Sequence, residues 1–298
     1  FLKFLAKIII IFFVLMLTKN KKYAIIFSTT NFGDDMYPYT LFLDIDLYTI
    51  ALSLAIIIAL LLCDKLTQKR GFSICLQKIV IVAIFCAVVL GIGSAVLFQS
   101  LYDFLKTGVF KLDSSTGMTF LGGLIGGALV YLSVWFIGGK IFLKGDNQGE
   151  EKRKFKDMLD IAACCIPLAH GIGRIGCFFA GCCHGKQTDA WFGVNMYTED
   201  GWKTVVPVQL FEAIFLFILA GVLLYLFFKR PNKLPLMPFY CGFYGIWRFF
   251  IEYARADDRG ASFISFLSPS QLTSLLLLFI AVIYLSAWFL LKNKSKKL

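Results

Sequence analysis

Ile79-Val-Ile-Val-Ala-Ile-Phe-Cys-Ala-Val-Val-Leu-Gly-Ile-Gly-Ser-Ala-Val-Leu-Phe98 runs for 20 residues without a charge. As a helix it would be about 30 Å long, the thickness of a bilayer's hydrocarbon core. Lys78 stands at one end, and Gln99 and Asp103 follow the other. Comparable runs lie to either side, at Phe4–Leu17, Tyr48–Cys63, Met118–Ile137, Met158–Phe178, Pro207–Phe228, Leu236–Tyr253 and Phe266–Leu291. Backbone groups in lipid must bond within their own segment, so eight helices are expected. The whole chain agrees: of 298 residues 58% are hydrophobic and 16% charged, with a mean hydropathy of +0.75. Those values exclude a soluble enzyme, a disulfide-stapled secreted domain and a disordered chain. The expected fold is all-α, a polytopic helical membrane protein.

The formal charge of +11 reads first as topology. With the N-terminus inside, the inner segments hold 19 Lys and Arg and the outer segments hold 9. The positive-inside rule then puts both termini in the cytoplasm of a multi-pass protein. Eleven acidic residues, including Asp34, Asp35, Asp257 and Asp258, fall on the outer side. Inner clusters such as Lys152-Arg153-Lys154 suit anionic lipid headgroups of the bilayer, and no nucleic-acid partner is expected. Residues 1–22 are read as an N-terminal anchor helix, signal-like but without a clear small-x-small cleavage site. Residues 23–298 are read as one integral membrane domain.

Two stretches depart from apolar packing. In His170-Gly-Ile-Gly-Arg-Ile-Gly-Cys-Phe-Phe-Ala-Gly-Cys-Cys-His-Gly185, both histidines of the protein join five glycines, three cysteines and Arg174 at the end of a span. An arginine at that depth needs a water-filled cavity or an anion, so the stretch should line a polar cavity on the outer face. Gly171-x-Gly173-x-x-Gly176 matches a dinucleotide fingerprint only in letters, since no strand precedes it. Cys177, Cys182, Cys183 and His184 lack the paired Cys-x-x-Cys spacing of ordinary zinc sites; a bridge from Cys177 to Cys182 or Cys183 stays open. The second stretch sets Arg248, Glu252 and Arg255 at i, i+4 and i+7 on one helix face. Arginines from two spans facing one cavity would make a receptor for an anionic group, and the guanidinium fork suits phosphate. In a bilayer the available phosphate is a phospholipid headgroup. The overlapping Gly122–Gly126 and Gly123–Gly127 pairs are read as close helix packing.

The stretch Gly173–Gly185 resembles the signature of the phosphatidylglycerol–prolipoprotein diacylglyceryl transferase family. Gly117-Met-Thr-Phe-Leu-Gly-Gly-Leu-Ile-Gly126, Pro207-Val-Gln-Leu-Phe-Glu212, Gly245-Ile-Trp-Arg-Phe-Phe-Ile-Glu-Tyr-Ala-Arg255 and Leu267-Ser-Pro-Ser-Gln-Leu272 follow in that family's order. The resemblance implies a seven-helix transferase-like core, here preceded by an extra N-terminal helix, in a bacterial inner or plasma membrane. It implies transfer of the diacylglyceryl group of phosphatidylglycerol to the lipobox cysteine of a preprolipoprotein whose signal peptide is still in the membrane. A thioether forms, glycerol 1-phosphate leaves, and no metal or redox cofactor is involved. Arg174 and Arg248 would hold the headgroup, with Gly173, Gly176, Cys177, Gly181, Gly185, Glu252 and Arg255 around the substrate, and Tyr48 aligns with a tyrosine of the first core helix.

This sequence departs from the family pattern at Leu121 (usually His), Cys177 (usually Asn) and Cys182 (usually Glu), and has no arginine near Gly91–Phe98. With Leu121 unable to act as a base, three ways remain to ionise the acceptor thiol: His170, His184, or a cationic pocket that lowers the thiol's own pKa. Two further functions stay open. One is a divergent paralogue that moves a lipid or headgroup to another acceptor. The other is a non-enzymatic thiol or metal handler built on Cys177, Cys182, Cys183 and His184.

Overall fold

A computed structural model describes residues 46–110, 112, 119–198, 201–229, 234–256 and 266–295. The expected anchor helix at 1–22 lies outside them. In chain order the described elements are α1 (Leu47–Lys69), α2 (Ile74–Thr107), α3 (Phe120–Phe142), the short α4 (Glu150–Arg153), α5 (Phe155–Phe179), β1 (Val194–Thr198), β2 (Gly201–Val205), α6 (Val208–Lys229), α7 (Leu236–Ile251) and α8 (Pro269–Ser295). Six of the helices, all except α4 and α7, are long and apolar enough to cross a membrane. The remaining helix of the expected seven-helix core, α7, has 16 residues and continues as a tight turn through Glu252–Ala254. All seven spans expected within the described residues are therefore helical, and among those residues the fold is all-α apart from one small hairpin.

The quoted run is only the middle of α2. That helix begins after Ser73, whose side chain accepts from the Leu76 N–H, and ends at Gly108, which has φ +73° and donates to the Phe104 carbonyl. A side-chain N-cap and a left-handed C-cap extend the helix beyond its hydrophobic centre at both ends.

The described chain divides into two compact units, one spanning Leu60–Ala162 and the other joining the segments before and after it. In the first, the glycines act as expected. A Cβ on Gly91 would lie 3.2 Å from the Gly123 carbonyl, and one on Gly127 would lie 3.2 Å from the Ala87 carbonyl. A side chain on Gly126 would overlap Ser94, and one on Gly122 would overlap Phe98. Backbone therefore meets backbone along α2 and α3, as small residues allow in lipid. At one end of this unit Trp135 is fully buried among Phe72, Tyr131 and Phe155, and its indole N–H donates to the Glu151 carbonyl.

The second unit contains the polar stretches. One face of α6, from Val208 and Gln209 through Glu212, Leu216, Leu219 and Leu223 to Phe227, is buried. α7 and α8 pack closely, since a Cβ on Gly245 would sit 2.9 Å from the Ser274 carbonyl. The Phe215 and Trp247 rings stack at 4.4 Å between α6 and α7. The start of α8 is a capping box: Ser268 Oγ accepts from the Gln271 N–H, and Gln271 Oε1 accepts from the Ser268 N–H. This explains the order Ser268-Pro-Ser-Gln271, with proline in the first helical position.

The hairpin is the element that the sequence reading missed. β1 and β2 pair antiparallel from Val194↔Val205 to Thr198↔Gly201. Two bridges, Gln187↔Val205 and Gly185↔Arg255, continue the pairing to the end of the signature stretch.

Candidate active site

Arg174 lies on α5 and Glu212 on the buried face of α6. Arg174 Nε sits 2.9 Å from Glu212 Oε2, and Arg174 Nη2 donates to Oε1 at 3.1 Å. The Nη2 contact is a charge-assisted hydrogen bond, while Nε and Oε2 are close only as an ion pair. Glu212 is completely buried, and a carboxylate there requires opposite charge around it. Tyr244 of α7 donates its hydroxyl to Oε1 at 3.1 Å, and His170 Nε2 stands 3.8 Å from the same oxygen. Arg255 Nη1 is 3.9 Å from Oε2. The His170 and Tyr244 rings meet edge to face, with centroids 5.3 Å apart.

A second carboxylate continues the chain of charges. Arg248 Nη2 is 2.9 Å from Glu252 Oε2 and donates to Ser270 Oγ at 3.1 Å, while Arg255 Nε is 3.9 Å from Glu252 Oε2. Glu252 Oε1 accepts from Ser268 Oγ at 2.9 Å, so the cap of α8 also orients this carboxylate. The helical face expected from the i, i+4, i+7 spacing is thus present, and it extends to two serines. Among the described residues the cluster joins three guanidiniums to two carboxylates. Arg248 and Arg255 are 6% and 5% exposed, so little of their charge is in water.

The backbone closes one side of this cluster. Gly185 N–H donates to the Val206 carbonyl, Lys186 N–H donates to Ala254, and Ala256 N–H donates to His184. Gly185 leaves no room for a side chain: a Cβ would lie 2.6 Å from the Val206 carbonyl and 2.7 Å from that of Ala254. The glycine there holds the Arg255 backbone against the signature stretch.

The end of α5 is a Schellman turn. The Gly181 N–H donates to the Phe178 carbonyl and the Cys182 N–H to the Cys177 carbonyl, with Gly181 at φ +67°. The turn folds Cys182 back beside Cys177. Cys183 takes a left-handed φ of +62°, uncommon for a side-chain-bearing residue. As a result the sulfurs of Cys177, Cys182 and Cys183 all lie within 4.8 Å of one another, and all are free thiols. Gln209 donates to the Cys182 carbonyl at 2.7 Å and ties this loop to α6. Hydrogen bonds from the Cys177 and Cys182 thiols, with Arg255 and Arg174 nearby, hold the Cys183 thiol below its ordinary range. Cys182 is pushed the other way, chiefly by its hydrogen bonds to the same neighbours and then by burial.

A family profile described as prolipoprotein diacylglyceryl transferase matches residues 38–287. The chain belongs to that family. It is 32% identical over 243 residues to the phosphatidylglycerol–prolipoprotein diacylglyceryl transferase of Clostridium tetani, covering 79% of this chain and 90% of that protein. Similarity to phosphatidylglycerol–prolipoprotein diacylglyceryl transferase 2 of Clostridium perfringens is 31% over 198 residues, or 56% and 75% of the two chains. For the Ehrlichia ruminantium (strain Welgevonden) transferase it is 28% over 250 residues, or 80% and 91%.

The residues singled out in the sequence of this family member divide into those joined in one cluster and those that flank it. Arg174, His170, Arg248, Glu252 and Arg255 form one network with Glu212. Tyr48 packs on Gly176, where a Cβ would meet its ring at 3.3 Å. Around Gly173 no atom lies within 4 Å of where a Cβ would stand. His184 Nδ1 donates to the Gly185 carbonyl at 2.9 Å, and this residue is not one of the clustered thiol ligands. Glu212, Tyr244, Gln209 and Ser270 were missed as site residues. The signal for two of them was present: Gln209 and Glu212 are polar residues three apart in an apolar span, which marks a functional site by default.

Proposed function

We propose that the protein transfers the diacylglyceryl group of phosphatidylglycerol to the lipobox cysteine thiol of a prolipoprotein, forming a thioether and releasing glycerol 1-phosphate. The observation that carries this reading is the buried network of Arg174, Arg248 and Arg255 around Glu212 and Glu252. Arg248 Nη1 is buried without a hydrogen-bond partner among the described residues, so it is a donor available to a phosphate oxygen. Preorganised guanidiniums would also stabilise the second charge that develops as glycerol phosphate departs. Gly173, with open space around it, lets the backbone approach the headgroup, and Gly176, Gly181 and Gly185 shape the wall that carries Arg174 and Arg255.

The acceptor reaches the site laterally, with its signal peptide in the bilayer. The 19-to-9 distribution of basic residues supports cytoplasmic termini and a site opening toward the outer face of a bacterial plasma membrane. Residues 23–298 then form the transferase domain and residues 1–22 an added anchor. The test is expression of the full chain in cells lacking their own diacylglyceryl transferase. Mass spectrometry of a reporter lipoprotein should show the diacylglyceryl adduct, and an unmodified reporter would overturn the assignment.

A further inference from the structure

The transferase reading requires a means of ionising the acceptor thiol. The acceptor thiol must lose its proton before sulfur can attack, because the thiolate is the nucleophile. The protein has two imidazoles: His170 faces Glu212 at 3.8 Å and Tyr244 edge to face, and His184 donates from Nδ1 to the Gly185 carbonyl. Glu212 and Glu252 are held by arginines.

The Cys177–Cys182–Cys183 cluster can take over this task. Three sulfurs from a single turn and the residue after it lie within 4.8 Å of one another. Thiolates bound at about 2.3 Å to one tetrahedral zinc ion would be roughly 3.8 Å apart, so a modest rotation of the exposed Cys182 side chain closes the set. The cluster begins one helical turn after Arg174 on α5, beside the proposed phosphate site. Gln209 fixes the loop from α6 through the Cys182 carbonyl. Two sulfurs are part-buried and one is exposed, which leaves a side open to a fourth ligand. Three protein ligands with an open position are the pattern of catalytic zinc, and a thiol that coordinates zinc is deprotonated outright.

We propose that Cys177, Cys182 and Cys183 form a three-thiolate zinc site whose fourth position takes the thiol of the acceptor. This rests on the transferase reading for the identity of the acceptor, and it departs from the metal-free expectation carried by the family resemblance. On binding, the acceptor S–H gives its proton to water. The sulfur electron pair then forms the C–S bond to the glyceryl carbon. The C–O bond to phosphate breaks with its pair going to the phosphate oxygen, and glycerol 1-phosphate leaves. Zinc is neither oxidised nor reduced.

The test uses the full chain in detergent or nanodiscs containing phosphatidylglycerol. About one zinc per chain is expected in the wild type, falling at least tenfold in Cys182→Ser and Cys183→Ser. Cobalt loading should give a thiolate charge-transfer band that shifts when a lipobox peptide with cysteine is added and stays unchanged with its serine counterpart. Transfer should fall at least tenfold on chelation and return with zinc. Absence of stoichiometric zinc, equal zinc in the variants, a cobalt band indifferent to the cysteine peptide, or full transfer by zinc-free protein would each overturn the proposal. Should the variants fail to fold, the wild-type cobalt spectrum with the two peptides decides it. If no form of the protein transfers lipid, the transferase reading fails, while the zinc content and the cobalt response still judge the metal site.

Discussion

Arg174 and Glu212 face each other from two helices and share two contacts, 2.9 Å from Nε to Oε2 and 3.1 Å from Nη2 to Oε1. Nη2 is hydrogen-bonded to a carboxylate that has no exposed surface, while Nε has no hydrogen-bond partner among the described residues. The pair orients Arg174 before any substrate arrives. It also makes Glu212, on α6, the common partner of groups on α5, α7 and the turn after α7.

Removing that carboxylate charge should be costly. Glu212→Gln keeps the shape but leaves Arg174 and Arg255 buried without their common counter-charge. Breaking a buried pair from one side costs about 3–5 kcal/mol. Thermal unfolding in detergent should show a clear drop in midpoint for Glu212→Gln and a smaller one for Tyr244→Phe, which removes one hydrogen bond to the carboxylate and leaves its arginine partners in place. Equal midpoints for wild type and Glu212→Gln would show that the pair carries no such energy.

Arg248 makes its contacts through a fork. Its Nη2 reaches both Glu252 and Ser270, and Nη1 is left for an anion. Lysine provides charge without the planar fork. Arg248→Lys should therefore fold, keep a pair with Glu252, and lose roughly 10²–10³-fold in transfer rate, the range for deleting one aimed donor. Initial rates with labelled phosphatidylglycerol would measure this. A loss below about threefold would mean that only the charge matters.

Two glycines of the signature stretch should respond in opposite ways. A Cβ on Gly185 would strike two backbone carbonyls, so Gly185→Ala must separate the strand segment from Arg255. Overpacking of that kind typically costs about 1–3 kcal/mol. Gly173→Ala meets no neighbour within 4 Å and should leave the unfolding midpoint nearly unchanged. If the two alanines destabilise equally, the close approach at Gly185 is not as described.

The vicinal cysteines should differ in reactivity when the protein is free of metal. Cys183 is held below the ordinary thiol range, so its thiolate persists to lower pH. Cys182 is raised, so it stays protonated to higher pH. Alkylation followed by peptide mass mapping should label Cys183 at a pH where Cys182 is still intact. Labelling in the reverse order would contradict the hydrogen-bond arrangement of the three sulfurs.

The membrane helices were legible because length and apolarity in a bilayer are one-dimensional quantities. Their ends were not, since the caps at Ser73 and Gly108 lie outside the hydrophobic run. The spacing of Arg248, Glu252 and Arg255 foretold a shared face, yet nothing local showed that Ser268 and Ser270 would complete it. Glu212 was quoted inside a motif without being read as a lone charge in a span. The hairpin escaped because residues 194–205 are a short excursion between long helices, with little hydrophobic pattern to mark them. The three cysteines were named in the sequence together with His184 as a thiol or metal set, but their five-residue spacing matches no ordinary zinc pattern, and only the Schellman turn brings the three sulfurs together without His184.

The central claim is that Arg174 holds the lipid phosphate during transfer. It is tested most directly by lipidation of a reporter lipoprotein in cells lacking their own transferase, with wild type and Arg174→Ala present at equal levels in the membrane. Mass spectrometry should show the diacylglyceryl adduct with wild type and none with Arg174→Ala. An adduct formed at the wild-type rate by Arg174→Ala would contradict the account.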